Sequence, residues 1–313
     1  MPRMAVTLAG VELPGPLVAA AGAAGNGPEI LEVVPRGTFG AVTTKSITPE
    51  PRAGHPPWRL VELPTGMLNA VGLANPGLEQ FMESVVPRLA QSDATFIGSI
   101  AGHSIEDYVE VAKAFDSVEH LPLVEANMSC PNTGTGRQFT DEPAAMRDAV
   151  QAIKSSLEQT PLFVKLPLET TSGYPLAQAA IDGGADGLTF LNTIPAMAID
   201  VDTRRPRLAN TSGGLSGPAI HHLAVRMIAG VRQTVTGGES LPIIGLGGVT
   251  RWEHAAEMIL AGATGIGLAT ALYVDPRIAR RVHRGLERWV RAQGVGSLSD
   301  LVGAVESDPI EPD

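Results

Sequence analysis

Cys130 is the residue whose type and surroundings most directly suggest chemistry. It is the only cysteine of the 313-residue chain, and an asparagine lies on either side of it, at positions 127 and 132. A lone cysteine is most often a small buried apolar residue. On a polar loop at the mouth of an active site it is instead a candidate base or nucleophile. No histidine lies next to it in the sequence to activate it.

Two lysines occupy equivalent positions, because Lys45 and Lys165 each end an apolar run. If those runs are parallel strands, both side chains point toward one mouth. Either lysine alone could lay its stem along apolar surface or form a salt bridge. The pair indicates an anionic ligand, or a place where negative charge develops during a reaction.

Glycine-rich segments close the chain's last two apolar runs, at residues 244–249 and 265–270, and a third lies at 213–217. Glycine allows the backbone to approach a ligand closely. In α/β barrels the loops after the last two strands commonly hold a phosphate group. The pattern therefore favours a phosphorylated ligand, with plain tight turns as the alternative.

Amide side chains form the last candidate group. Asn192 and Thr193 follow the sixth apolar run, and Asn69 and Asn75 lie in a long connection. Together they suit a planar ligand that carries both carbonyl and N–H groups. Singly, each is more often a turn or cap residue.

The elements that would position these residues are eight short apolar runs separated by amphipathic stretches. The predicted strands cover residues 17–21, 40–45, 95–100, 121–127, 162–166, 187–192, 242–247 and 264–268. Continuous apolar runs are typical of parallel strands covered by helices. We therefore predict an α/β fold, a single (β/α)8 barrel (TIM barrel) domain over residues 1–313.

Three connections are too long for simple loops: residues 46–75, 128–141 and 193–215. Each follows the carboxyl end of a strand, so we expect active-site insertions on that face of the barrel. Residues 5–8 and 11–13 predict a small N-terminal hairpin. Ser104, Thr250 with Glu253, and Asp275 are predicted helix caps.

Composition narrows the class of protein. Apolar residues make up 44% and charged residues 18%, with a net charge of −10. These values are typical of a globular protein and disfavour nucleic acid or an anionic membrane as partner. No leader pattern and no run of about 18–20 apolar residues is present, so we expect a cytoplasmic protein.

Metal and disulfide chemistry are not predicted. One cysteine excludes an intrachain disulfide or a thiolate cluster. The seven histidines are scattered, and the adjacent pair His221-His222 does not share a helix face. We therefore predict no metal site.

Taken together, these segments resemble the class 1 dihydroorotate dehydrogenases, from about residue 5 to about residue 292. The motifs are Asn127-Met128-Ser129-Cys130-Pro131-Asn132, Asn69-Ala70-Val71-Gly72-Leu73-Ala74-Asn75-Pro76-Gly77, Val164-Lys165-Leu166, Leu191-Asn192-Thr193 and Ile243-Ile244-Gly245-Leu246-Gly247-Gly248. The segment 213–220 is most similar to the class 1B branch. The membrane-bound class 2 branch differs in having serine as base and an N-terminal extension.

The resemblance implies FMN-dependent oxidation of (S)-dihydroorotate to orotate in de novo pyrimidine biosynthesis. Cys130 would remove the proton from C5 while a hydride leaves C6 for flavin N5, and Lys165 would stabilise charge on the reduced ring. The implied substrate-binding residues are Lys45, Asn69, Gly72, Leu73, Asn127, Asn132, Asn192 and Thr193. The implied FMN-binding residues are Ala20, Gly22, Lys45, Ser46, Ser99, Asn127, Lys165, Gly217, Gly247, Gly248, Ala269 and Thr270. The loop 128–141 would be a lid that excludes water.

The class 1B resemblance also implies partners. These are a homodimer mate and an electron-transfer subunit that holds FAD and a 2Fe–2S cluster, with NAD as final acceptor. The chain departs from the family at Ala21, where serine is usual, at Ala269, where glycine is usual, and at Ser99, where class 1B commonly has asparagine. These departures concern the cofactor side of the predicted site.

Four alternatives remain beside this reading. The chain could pass electrons directly to fumarate, as class 1A does, or act on a different dihydropyrimidine that lacks the carboxylate expected at Lys45. It could be a flavin-free phosphate-binding barrel such as an isomerase. A non-catalytic subunit is disfavoured, because Cys130, Lys165 and the asparagines occur together.

Overall fold

Eight parallel strands close into a barrel in the computed structural model, which describes residues 3–128 and 139–306. The strands are Leu17–Ala19, Ala41–Thr43, Thr95–Ile100, Leu123–Asn127, Leu162–Leu166, Gly187–Phe190, Ile243–Leu246 and Gly265–Leu268. Neighbours in the chain are neighbours in the barrel, and the eighth strand pairs with the first to close the ring. All eight predicted strands are present, several of them shorter than predicted, so the predicted (β/α)8 fold is confirmed.

Helices cover the barrel because their apolar faces match its apolar outer surface. The helices are Glu29–Val33, Leu78–Gln80, Val86–Leu89, Ile105–Asp116, Pro143–Ser155, Pro175–Asp182, His221–Thr234, Trp252–Ala261, Thr270–Val274 and Ile278–Ala292. In Ile105–Asp116, for example, Tyr108, Val111 and Phe115 are fully buried. No helix within residues 3–128 or 139–306 combines the length and apolarity needed to cross a membrane.

The predicted helix caps have mixed outcomes. Ser104 caps its helix as predicted: its hydroxyl accepts from the Asp107 N–H at 3.2 Å. The Thr250–Glu253 capping box is wrong, because Arg251 occupies the cap position and the Thr250 N–H instead donates to the His254 ring. Asp275 lies two residues before the cap position Arg277 of the helix that begins at Ile278, but its carboxylate does accept from the Arg277 N–H at 3.0 Å.

Two of the long connections fold into strands, which the sequence did not predict. Leu60–Leu63 and Gly66–Asn69 come from the first connection, and Ile194–Ala196 and Gly213–Ser216 from the third. They form one four-stranded antiparallel sheet, in which Gly214 pairs with Asn69. We call it the lid sheet. A small apolar cluster stabilises it, made of Val61, Leu68, Ala70 and Leu208.

Two smaller sheets complete the strands of the described chain. The N-terminal hairpin pairs Val6–Leu8 with Val11–Leu13 as predicted. A short ribbon pairs Ile199–Asp200 with Arg205–Pro206 beside the lid sheet. Neither contributes a strand to the barrel.

Candidate active site

A cavity of about 1470 Å³ lies between the lid sheet and the carboxyl ends of the barrel strands. The lid contributes residues such as Met67 and Asn69, and the strand ends contribute Asn127 and Lys165. This is the face on which barrel enzymes carry their active sites. Most of the predicted site residues that the structure describes meet here.

Amide side chains form a connected network on one side of the cavity. Asn127 ends the fourth barrel strand and Asn192 follows the sixth. The Asn192 Nδ2 donates to Asn127 Oδ1 at 2.9 Å, and the Thr193 N–H donates to Asn192 Oδ1 at 2.8 Å. The Tyr108 hydroxyl fixes the strand end by donating to the Asn127 carbonyl at 2.7 Å. These bonds orient a row of amides toward the cavity, as recognition of a planar polar ligand requires.

The two lysines reach the cavity from different strands. Lys45 follows the second strand and is half-buried. Lys165 lies within the fifth strand and is 6% exposed, yet among the residues that the structure describes no hydrogen bond or ion pair reaches its ammonium group. A buried charge of this kind is costly unless something neutralises it. The cavity therefore offers a cation to an anionic or electron-rich ligand.

Two predicted residues lie behind the cavity wall. Ser99 is fully buried, and its hydroxyl lies 2.9 Å from the hydroxyl of Ser46, which does line the cavity. Ala20 is 5% exposed and its N–H donates to the Leu268 carbonyl, while the neighbouring Gly22 lines the cavity. Ser99 therefore supports the wall through Ser46.

The far end of the cavity is lined mainly by glycine backbone and small side chains. Gly217, Gly247 and Gly248 meet there beside Ala269 and Thr270. All three glycines have φ between +67° and +143°, in the region that other residues rarely adopt. A Cβ on Gly248 would lie 2.9 Å from the Gly217 carbonyl oxygen, so only glycine fits. Such a surface exposes backbone N–H groups at close range, which suits a phosphate group.

The lid sheet supplies the remaining predicted contacts. Asn69 ends the strand Gly66–Asn69, and its Nδ2 donates to the Gly214 carbonyl at 3.2 Å. Gly72 and Leu73 follow it along the cavity wall with φ of 73° and 55°. A leucine in this region is uncommon and marks local backbone strain, which clusters at ligand sites. Asn75 instead serves the loop itself, since its side chain bonds Thr48 and the Gly77 N–H.

Cys130 and Asn132 lie outside the described residues, as does most of the predicted lid loop 128–141. Their proposed roles rest on the sequence motif.

Several cavity residues were not predicted. Arg52 and His55 come from the first long connection, and the Arg52 guanidinium hydrogen-bonds the ring of His103. Tyr273 donates its hydroxyl to the Gly22 carbonyl. The residue is 57% exposed, but its partial burial raises the pKa of Tyr273. The length of the first connection was the only sequence signal for Arg52 and His55, and Tyr273 gave none.

A closed parallel barrel with a cavity at the carboxyl ends of its strands, lined there by amides and two lysines, defines an α/β-barrel enzyme. The family model described as dihydroorotate dehydrogenase matches residues 3–290, and the chain belongs to that family. Enzymes of this family are flavin-dependent.

Curated relatives cover nearly the whole chain. The dihydroorotate dehydrogenase B (NAD(+)) catalytic subunit of Pelobacter propionicus is 42% identical over 97% of this chain and 99% of its own. The protein of the same name from Geobacillus kaustophilus is 40% identical over 97% and 96%. The predicted resemblance to class 1B is thereby confirmed, and those relatives are named as catalytic subunits.

Solved structures agree in fold. A ligand-free DHODH from Eimeria tenella has a TM-score of 0.80 and 24% identity, covering 97% of this chain and 92% of its own. The same protein with ferulenol has a TM-score of 0.78 and 22% identity, covering 97% and 89%. At this identity the likeness concerns the fold alone.

Proposed function

We propose that this chain oxidises (S)-dihydroorotate to orotate with FMN as its cofactor, in de novo pyrimidine biosynthesis. The observation that carries the proposal is the layout of one cavity: an amide network on one side, Lys165 without a hydrogen-bond or ion-pair partner among the described residues, and a glycine-lined end. The names of relatives near 40% identity support the substrate.

The described residues fit FMN. The glycine-lined end suits its phosphate, and Lys165 supplies a cation for the electron-rich part of a flavin ring. A volume of about 1470 Å³ exceeds the roughly 300–1,000 Å³ of common small-molecule sites, which leaves room for a flavin and a second planar ligand. When bound, FMN supplies the acceptor for the hydride that leaves C6 of dihydroorotate.

The chain's own residues would bind, orient and deprotonate the substrate. Asn127, Asn192 and Thr193 form one connected wall, so the pyrimidine amides meet donors and acceptors that are already oriented. Asn69 would close over the substrate from the lid sheet. Lys45 would contact its carboxylate, and Cys130, as a thiolate, would remove the C5 proton.

The designation of the relatives as catalytic subunits supports a partner subunit for this chain. The chain would form a homodimer and work with an electron-transfer subunit that holds FAD and a 2Fe–2S cluster, passing electrons to NAD. Direct transfer to fumarate is the alternative that the experiment below separates.

The test is anaerobic mixing of the purified chain with dihydroorotate while flavin absorbance is followed. We expect rapid bleaching with dihydroorotate and none with dihydrouracil, which lacks the carboxylate. Addition of fumarate, or of NAD with the partner protein, then identifies the acceptor. A yellow protein that stays oxidised would overturn the substrate, and a colourless protein that FMN cannot reconstitute would overturn the cofactor as well.

The role of Cys130 is tested separately. Cys130→Ser should keep FMN bound and slow dihydroorotate-dependent bleaching by about 10²–10⁴-fold near neutral pH. Because a serine hydroxyl is far less acidic than a thiol, the residual rate should rise toward high pH. Cys130→Ala, with no base, should lack that rise. Near-normal bleaching in either variant would remove Cys130 from the mechanism.

A further inference from the structure

Behind the glycine-lined end, outside the cavity, two helices bring metal-ligating side chains together. His221 and His222 begin the helix His221–Thr234, and Glu257 lies on the helix Trp252–Ala261. One ligand atom from each of the three lies within 4.8 Å of the other two. The sequence predicted no metal because adjacent helical residues diverge, but a nitrogen of each ring lies within 4.8 Å of the Glu257 carboxylate.

The bonding of His221 fixes which ring nitrogen carries a proton. The ring is 1% exposed, and Nδ1 lies 3.1 Å from the carbonyl oxygen of Gly247. A carbonyl can only accept, so Nδ1 is the donor. In the neutral ring Nε2 then presents a lone pair, and it faces Glu257 Oε2 at 2.5 Å. Two acceptors at this distance require a cation between or beside them, either a proton or a metal ion.

We propose that His221, His222 and Glu257 form a binding site for a divalent transition metal ion of the zinc type. Two imidazoles and one carboxylate are ligands that zinc accepts in tetrahedral sites, with water in the fourth position. Metal-ligating histidines usually donate their other ring N–H to a carbonyl or carboxylate, as His221 does to Gly247. Nitrogen ligands disfavour calcium and magnesium, which prefer oxygen.

The burial of the three groups differs, and this difference allows the two more exposed ligands to move apart and admit an ion. His221 is held rigidly, while His222 is exposed and the side chain of Glu257 is 43% exposed. The two outer ligands can therefore move apart to the spacing that an ion requires. The net charge of −10 favours cation binding in general.

The neighbouring charges do not oppose an ion strongly. His254 stacks on His221 with ring centroids 4.2 Å apart. Arg251 is directed to His254, with Nε 3.0 Å from its Nε2.

The experiment measures zinc bound per chain in the FMN-loaded, full-length protein, after EDTA treatment, by equilibrium dialysis and atomic emission. The wild-type protein should bind one zinc ion per chain at this site. We expect His222→Ala and Glu257→Gln each to weaken the affinity for that ion by at least about tenfold. Cys130 could also bind zinc, so Cys130→Ser should be measured in parallel and should retain that ion. His120→Ala, which removes an exposed histidine elsewhere, is the matched control.

A second readout is independent of counting metal. Zinc should raise the melting temperature of the wild-type protein by mass action and leave that of His222→Ala unchanged. Equal zinc affinity in the wild type, His222→Ala and Glu257→Gln would overturn the site. If only Cys130→Ser lost the bound zinc ion, the proposed site would also be overturned, because the ion would then be bound by Cys130 and not by the two histidines and Glu257. Neither outcome bears on dihydroorotate oxidation.

Discussion

The side chain of Lys165 enters the cavity from the fifth barrel strand, with 6% of the residue exposed. Among the described residues its ammonium group has no hydrogen-bond or ion-pair partner. Lys165→Met keeps the length of the stem and removes the charge. We expect the flavin-free variant to be more stable than the wild type by about 1–2 kcal/mol, because an unneutralised buried charge is lost. Dihydroorotate-dependent flavin reduction should fall by at least about 10²-fold.

Urea unfolding of the flavin-free proteins and anaerobic flavin bleaching measure the two effects. Lys154→Met is the matched control, because Lys154 Nζ lies 2.5 Å from Asp186 Oδ2 in a partly buried ion pair. That variant should lose stability and keep its bleaching rate. A Lys165→Met protein that is less stable than the wild type would mean that the charge is neutralised within the protein.

The location of the residues at the strand ends could be predicted because the strands themselves could be predicted. Lys45, Asn127, Lys165 and Asn192 each lie in or just past an apolar run, and parallel strands bring such residues to one mouth. Tyr273 could not be predicted in the same way. It reaches Gly22, 251 residues earlier, because its helix follows the eighth strand, which pairs with the first strand in the barrel. No local pattern encodes that contact.

At the scale of elements, the lid sheet depends on a strand that contains two glycines. Gly214 lies so close to Thr193 that an added Cβ would be 1.9 Å from its Oγ1. Gly214→Ala must therefore displace Thr193, or separate Gly213–Ser216 from its neighbours. We expect a KM for dihydroorotate raised by about tenfold or more, since misplaced binding groups lose orientation, with the barrel still folded.

Steady-state kinetics and circular dichroism separate these outcomes. Gly296→Ala is the matched control, because its nearest neighbour would be a flexible carboxylate at 3.4 Å and its backbone has no positive φ. An unchanged KM in Gly214→Ala would show that Thr193 and the lid do not position the substrate.

The strands of the lid sheet could not be predicted from the local sequence. The long connections were recognisable by length, but Gly213-Gly214-Leu215-Ser216 has little intrinsic preference for a strand. Its pairing with Gly66–Asn69 spans 145 residues at Asn69 and Gly214 and is set by the closed barrel. By contrast, the Ser104 cap depends on four consecutive residues and was predicted correctly.

At the scale of the whole molecule, His283 lies where the last long helix meets the segment just before the first barrel strand. It lies on the helix Ile278–Ala292, and a Cβ added at Gly15, just before the first strand, would lie 3.6 Å from its Nε2. Burial lowers the pKa of His283 below its usual 6.5, with Glu287 acting in the opposite direction. Below about pH 6.5 the unfolded chain therefore binds more protons at this position than the folded one.

The lowered pKa of His283 therefore does not affect stability well above pH 6.5, and it reduces the stability of the folded protein as the pH falls toward the lowered pKa. His283→Gln should narrow the drop in melting temperature between about pH 7.5 and pH 5.5 by about 1–2 °C. Thermal scans across that range measure it, with exposed His120→Gln as the control that keeps the wild-type slope. A wider drop in His283→Gln would contradict the sign.

The lid sheet has a consequence for the order in which the molecule is made. Its central pair joins Asn69 to Gly214, so a chain emerging from the ribosome has synthesised most of its barrel before the lid has its second half. A ligand held between lid and strand ends stabilises only chains that have both. Cofactor binding is therefore expected to stabilise the finished chain, and not a chain that ends before residue 213.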